Sequence, residues 1–152
     1  MKIEEAILTS QFSNLPEKAI VNIIFTSNVV QDALKMIIKP YGISLPQYNV
    51  LRILNGRKKG YATCGDLKAV MLDKNPDVTR LCDKLVDKTL ITRHCNAKNK
   101  RQILLQISDK GEAVLAQINP KIYAFYAKFE ALKQPDILQL SDWLDTLRNE
   151  LQ

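Results

Sequence analysis

The sequence predicts a mainly helical fold of the α+β class, with long helices at both ends and a single β-hairpin between them. Apolar residues recur at helical spacing in six separate stretches, while a period-2 pattern occurs at one place, residues 102–107. Proline and glycine, six and five in 152 residues, mark several element boundaries. Charge is also unevenly placed. Residues 57–101 hold 12 Lys/Arg against 5 Asp/Glu and the remainder 10 against 11, so the whole net charge of +6 lies in the central third. An excess this localised points to a polyanionic partner, the alternative being an ordinary solvated basic face.

The first predicted helix spans residues 15–39. Asn14 and Glu17 flank Pro16 as a capping-box-like pair, and Ile20, Ile23, Ile24, Val30, Leu34 and Ile37 form its stripe. Pro40 and Gly42 end it. "SLPQYNVLRILNG" restarts a helix, with Ser44 or Leu45 ahead of Pro46, Tyr48, Val50, Leu51 and Leu54 inward, and Gly56 closing it. After a basic loop, Thr63 and Asp66 have capping-box spacing for a short helix whose apolar side is Leu67, Val70 and Met71. "NPDVTRLCDKLV" then predicts a helix with Asn75 as cap, Pro76 in the first helical position and Val78, Leu81, Cys82, Leu85 and Val86 buried. "LITRHC" and "RQILLQIS" predict two strands joined by a polar, basic loop. Leu104 interrupts the polar face of the second strand, which predicts partial cover on that side. Ser108 caps a helix running to about residue 132, kinked at Pro120. In the last helix Ile137, Leu140, Leu144, Leu147 and Leu151 step by 3, 4, 3, 4, a short heptad seam suited to lengthwise packing.

Two short helices across a turn, followed by a hairpin with a basic tip, form a winged helix-turn-helix pattern. In such a motif the second helix enters the major groove, with its N-terminal residues nearest the base edges. Asn75, Pro76, Asp77, Thr79, Arg80, Asp83 and Lys84 are therefore the candidate contacts. Arg80 is the strongest, because a guanidinium bonds guanine O6 and N7 together. Thr79 suits a thymine methyl or a phosphate, and Thr63 and Lys68 suit phosphates. Structural readings compete. Asn75 fits a cap, Asp77 complements the helix dipole, and Asp83, Lys84, Asp87 and Lys88 fit a solvated face in which Lys84 and Lys88 repel at i,i+4.

The chain resembles the MarR family of bacterial transcriptional regulators over nearly its whole length. "LPQYNVLRIL" looks like that family's second helix, "TCGDLKAVML" its third, and "VTRLCDKLVDKTLITR" its recognition helix with the first wing strand. "NKRQILLQISDKG" looks like its wing motif, Asp-x-Arg, an alternating strand and Thr-x-x-Gly. The resemblance implies one domain over 1–152, with a DNA-binding region at 44–108 and dimerisation helices at 14–40 and 109–152. It implies a homodimer with intertwined terminal helices, a near-palindromic site on double-stranded DNA, and often release by a small effector that is aromatic or acidic. It also makes Arg101 the wing arginine of the minor groove. Asn99 stands where the family has a bracing aspartate, which predicts a looser wing, and Lys98 and Lys100 add charge at the tip. The dimer also has a physical argument. The terminal helices carry more apolar surface than a small winged domain covers, and Ile20, Ile24, Ile137, Leu140, Leu144, Leu147 and Leu151 need a partner or must fold back on their own domain.

Other classes are disfavoured. Cys64, Cys82 and Cys95 form no CxxC pair, and with His94 as the sole histidine no metal-ligand or cofactor set is apparent. A Gly-rich phosphate loop and a recognisable catalytic pairing are both missing, so an enzyme is not expected. The most apolar stretch, "AIVNIIFTSNVV", is too short to span a bilayer, and the N-terminus lacks a signal-peptide pattern, which predicts a cytoplasmic location. Tyr48, Tyr61, Tyr123, Phe125 and Tyr126, with Arg52, are the groups available to an effector. Cys82 reads as packing. Cys95, beside Arg93 and His94, is a redox candidate. The competing function is a winged-helix module for protein interaction or non-specific DNA architecture.

Overall fold

A computed structural model describes residues 1–9, 11–57, 60–73, 75–96, 99 and 102–151. The chain divides into two compact units, Met1–Leu115 and Ala116–Gln152. The first holds α1 (Ile3–Ala6), α2 (Leu15–Ile38), α3 (Leu45–Gly56), α4 (Cys64–Val70), α5 (Val78–Asp87), β1 (Ile91–Cys95) and β2 (Ile103–Ile107). α6 (Asp109–Tyr126) begins in the first unit and continues into the second, which also contains α7 (Gln134–Glu150).

Local chemistry sets most boundaries. Asn14 Oδ1 accepts from the Glu17 amide at 2.8 Å, while Glu17 Oε2 reaches the Ser13 amide at 2.7 Å, one residue beyond a standard box. Ser44, not Leu45, caps α3, and its reciprocal partner Gln47 is buried in that role. Thr63 and Asp66 close the predicted box on α4. Ser108 caps α6, its hydroxyl accepting from the Gly111 amide at 3.1 Å. α6 runs through Pro120 and ends at Tyr126, where a 3₁₀ turn over Ala127–Ala131 replaces the α-helix expected to continue to residue 132. The one-turn α1 has no counterpart in the sequence reading; Glu4 ties it to Lys18 of α2 at 2.5 Å.

The core of the first unit lies among α3, α4, α5 and the hairpin. Tyr48, Val50, Leu51 and Leu54 of α3 are buried together with Leu67, Val78, Cys82, Leu85, Ile91 and Leu105. The strands pair antiparallel, Ile91 opposite Ile107 and Cys95 opposite Ile103. A bridge that the sequence did not suggest adds Ala62 beside Leu105, with two main-chain hydrogen bonds of 3.0 and 2.7 Å. Leu104 is half-buried, as the interrupted alternation predicted, but Ile103 near the hairpin end is exposed. The predicted apolar side of α4 reduces to Leu67 and half-buried Met71; Val70, the last residue of this short helix, is exposed.

α5 ends through Thr89, whose φ of +59° is unusual for a β-branched residue. Its amide donates to Val86 O at 2.7 Å and that of Leu90 to Leu85 O at 2.9 Å, the wrapped bonding of a left-handed helix end. Glycine removes the Cβ strain there, at the loss of the Lys110 bond to Thr89 Oγ1. Thr89→Gly is expected to stabilise the protein by about 0.5–1 kcal/mol, read as a higher urea midpoint with an unchanged slope.

Candidate nucleic-acid interface

α5 separates its two roles by face. Val78, Cys82 and Leu85 are buried, while Thr79, Arg80 and Lys84 are exposed on the opposite side. The helix starts two residues later than the sequence suggested. Asp77, not Asn75, is the cap, its carboxylate accepting from the Arg80 amide at 3.0 Å. Pro76 therefore precedes the helix and is not its first residue. The Asn75 amide instead donates to Asp73 Oδ1 at 3.1 Å, which shapes the turn before α5. The Asp73 bond to the Asn75 amide and the Asp77 cap replace the expected Asn-Pro start.

Asn75, Pro76, Asp77, Arg80 and Lys84 line one cleft of about 320 Å³, with Pro46 of α3, Asp73 and Leu81. Five of the seven candidates on this segment thus converge. The Arg80 guanidinium makes no hydrogen bond or ion pair with the described residues, and it projects from the first turn of the helix. Asp83 has another task. It pairs with Arg93 of β1, fastening the recognition helix to the wing, and so is neither a free base contact nor a merely solvated acid. Lys88 bonds the Gly42 carbonyl, which directs its ammonium to a partner and eases the i,i+4 repulsion from Lys84.

Thr63 and Lys68 lie on α4, Thr63 half-buried in its capping box and Lys68 exposed. Hydrogen bonds from the Thr63 amide and hydroxyl, then the Arg57 charge 3.9 Å away, hold the Asp66 carboxyl below the usual carboxylate range. At the hairpin turn the Asn99 amide donates to Asn96 O at 3.1 Å and Asn99 O accepts from the Gln102 amide at 2.9 Å. Lys98, Lys100 and Arg101 lie outside the described residues.

The cysteines divide as their burial dictates. Desolvation pushes the fully buried Cys82 thiol up from 9.0 to about 12, and neighbouring Cys64 of α4 adds to the rise; this proximity was not visible from their spacing of 18 residues. The unfolded chain therefore releases the Cys82 proton first. Stability from this group is present below about pH 9 and falls as pH rises towards 12. A Cys82→Val variant is expected to lose stability less steeply than the parent between those limits in urea titrations. Cys95 is exposed, strand alternation turns His94 to the other face, and the Arg93 guanidinium is paired with Asp83. His94 instead accepts or donates at Thr92 Oγ1, 2.9 Å away, and meets the Tyr61 ring edge-on at 5.1 Å.

The aromatic groups make ring and cation contacts, although Tyr61, Tyr123 and Tyr126 stay exposed. Arg52 lies 6.0 Å from the centre of the buried Tyr48 ring. In the second unit Phe125 contacts Tyr126 and Phe129, and Tyr123 contacts Tyr126. Among the described residues no helix is long and apolar enough to cross a membrane, and no group of three His, Cys, Asp or Glu is arranged for a metal.

A recognition helix with an exposed polar face, a preceding short helix and a two-stranded wing define a winged helix-turn-helix transcriptional regulator, a DNA-binding class. Residues 32–118 match the family model described as "Transcriptional regulator SarA/Rot". The chain belongs to this family, one of regulators and not of enzymes, and its fold is of the MarR type. A cysteine-to-serine mutant of MarR from E. coli, complexed with operator DNA, is 24% identical, with 83% of this chain and 91% of that one covered at a TM-score of 0.69. MepR from S. aureus in a DNA complex is 16% identical, covering 87% and 95% at 0.77. The organohalide-sensing regulator RdhR-CbdbA1625 in its 2,4-dichlorophenol-bound form is 19% identical, covering 91% and 82% at 0.79. Comparison with curated sequences gave no match.

Proposed function

We propose that the chain is a single MarR-type domain that acts in the cytoplasm as a homodimer, reading a near-palindromic operator with α5 in the major groove. The observation that carries this is the exposed first-turn Arg80 beside Thr79 and Lys84, on the face of α5 opposite its buried stripe. Lys68 serves as a phosphate contact, and Arg101 with Lys98 and Lys100 engages the minor groove and backbone. The DNA complexes of the structurally similar MarR and MepR support DNA as the partner.

The dimer rests on apolar faces that the single chain leaves open. Ile20 and Ile24 of α2 are 51% and 57% exposed, and Leu140, Leu147 and Leu151 of the seam are exposed with Trp143 beside them. Ile137 and Leu144 are half-buried. Patches of this kind are what a subunit interface removes from water. A small aromatic or acidic effector releases the DNA, a reading supported by the chlorophenol-bound relative.

Selection of genomic DNA fragments with the purified protein, then titration of the enriched site across salt concentrations, tests the proposal. One near-palindromic sequence bound by two chains is the expected result. Equal, steeply salt-dependent binding to every fragment would overturn it and leave an architectural or protein-binding module.

A further inference from the structure

The C-terminal end of α5 is tied to two other segments, by its own Lys88 side chain to one and by side chains received from the other. Lys88 sends its ammonium to the carbonyl of Gly42, the left-handed residue (φ +68°) that ends the turn after α2. Its own carbonyl accepts from Lys110 Nζ at 2.8 Å, and the same ammonium bonds Thr89 Oγ1 at 2.9 Å. Ser108 Oγ donates to Thr89 O at 2.7 Å. Lys110 occupies the first turn of α6, where the helix dipole disfavours a cation, yet its charge is directed at the closing carbonyl of α5, where a cation is favoured. Lys88 likewise directs its ammonium at a main-chain carbonyl, that of Gly42 at the end of the turn following α2. Neither ammonium is used on the face that carries Thr79, Arg80 and Lys84.

We infer that Lys88 and Lys110 form a hydrogen-bonded relay from the end of α2, through the end of α5, to the start of α6, and are positioning residues for DNA recognition that do not touch DNA. The inference rests on the proposed function, in which α2 and α6 belong to the dimer. The spacing of two recognition helices must match one turn of DNA, and α5 is a short helix whose buried side alone leaves its tilt to packing. Two charged bonds, one from Lys88 to the Gly42 carbonyl after α2 and one from Lys110 of α6 to the Lys88 carbonyl, fix that end against both segments. A shift between α2 and α6 therefore reaches α5 through the relay.

The test uses the full chain with Lys88→Met, Lys110→Met, the double variant and Lys110→Arg. Each Met variant should weaken binding to the selected operator by roughly three- to tenfold, with an unchanged salt slope because no phosphate contact is lost. Backbone amides of Thr89 and Leu90 should exchange faster in each. The double variant should lose less than the product of the single losses, since either break opens the same relay, and Lys110→Arg should restore most of the binding. A salt slope lower by about one unit would make the lysine a phosphate contact and overturn the inference. Multiplicative losses would reveal two independent caps, and faster exchange without weaker binding would reduce both lysines to stabilising caps; either result overturns it. Amide exchange reads the relay without DNA, so a failed operator selection would count against the proposed function and leave that measurement standing.

Discussion

Gly111→Ala is expected to destabilise the protein by about 3 kcal/mol, seen as a large fall in the urea midpoint. A Cβ built at Gly111 would lie 2.2 Å from Leu90 O, 2.8 Å from Ile107 Cγ1 and 3.2 Å from Leu90 C. The closest of these atoms is main chain, at the junction where α5 passes into β1, and cannot rotate aside. Relief requires α6 to move away from Leu90, which would stretch the Ser108 bonds to Thr89 O and to the Gly111 amide. Gly65 is the control. Its Cβ would meet only Thr63 Oγ1, at an ordinary 3.6 Å, so Gly65→Ala should stabilise α4 by roughly 0.5–1 kcal/mol. Equal effects at the two sites would show that backbone propensity, not close approach, governs Gly111.

Arg80→Ala is expected to cost roughly 1–3 kcal/mol of operator affinity and to relax the preference at one base pair of each half-site. The truncation leaves Val78, Cys82 and Leu85 in place, and the Asp77 cap uses the Arg80 amide, which alanine retains. The fold should therefore survive and the loss should fall on recognition. Lys68→Ala gives the contrast: weaker binding to all sequences alike, with a salt slope lower by about one unit. Affinities measured on a panel of operator variants separate the two. Identical behaviour across the panel would refute the division between base reading and phosphate contact.

Much of this architecture is legible in local chemistry. The caps at Asn14, Thr63 and Ser108 each follow from an oxygen-bearing side chain placed ahead of an apolar period, and the structure contains all three; at α3 the sequence leaves Ser44 and Leu45 open, and the Gln47 amide bond to the Ser44 hydroxyl decides for Ser44. The strand at Ile103–Ile107 follows from alternation. The start of α5 was misplaced because Asn75 and Asp77 are both good caps two residues apart, and only the bond from the Arg80 amide to Asp77 decides between them. Asp83 was ambiguous for a similar reason, since its partner Arg93 lies on another element.

Apart from the one-turn α1, the order of helices and hairpin, the two-faced character of α5 and the basic central third are readable from the residues alone, because periodicity, capping and charge are written in neighbouring positions. Which polar groups of α5 remain available depends instead on long-range contacts. Arg80 and Lys84 are left exposed, while Asp83 is tied to Arg93, Lys88 to Gly42 and the helix end to Lys110. Likewise only packing explains Gly111, whose missing side chain makes room for a carbonyl 21 residues earlier in the chain. Such contacts join residues far apart in sequence, and no local pattern encodes the distance that closes between them.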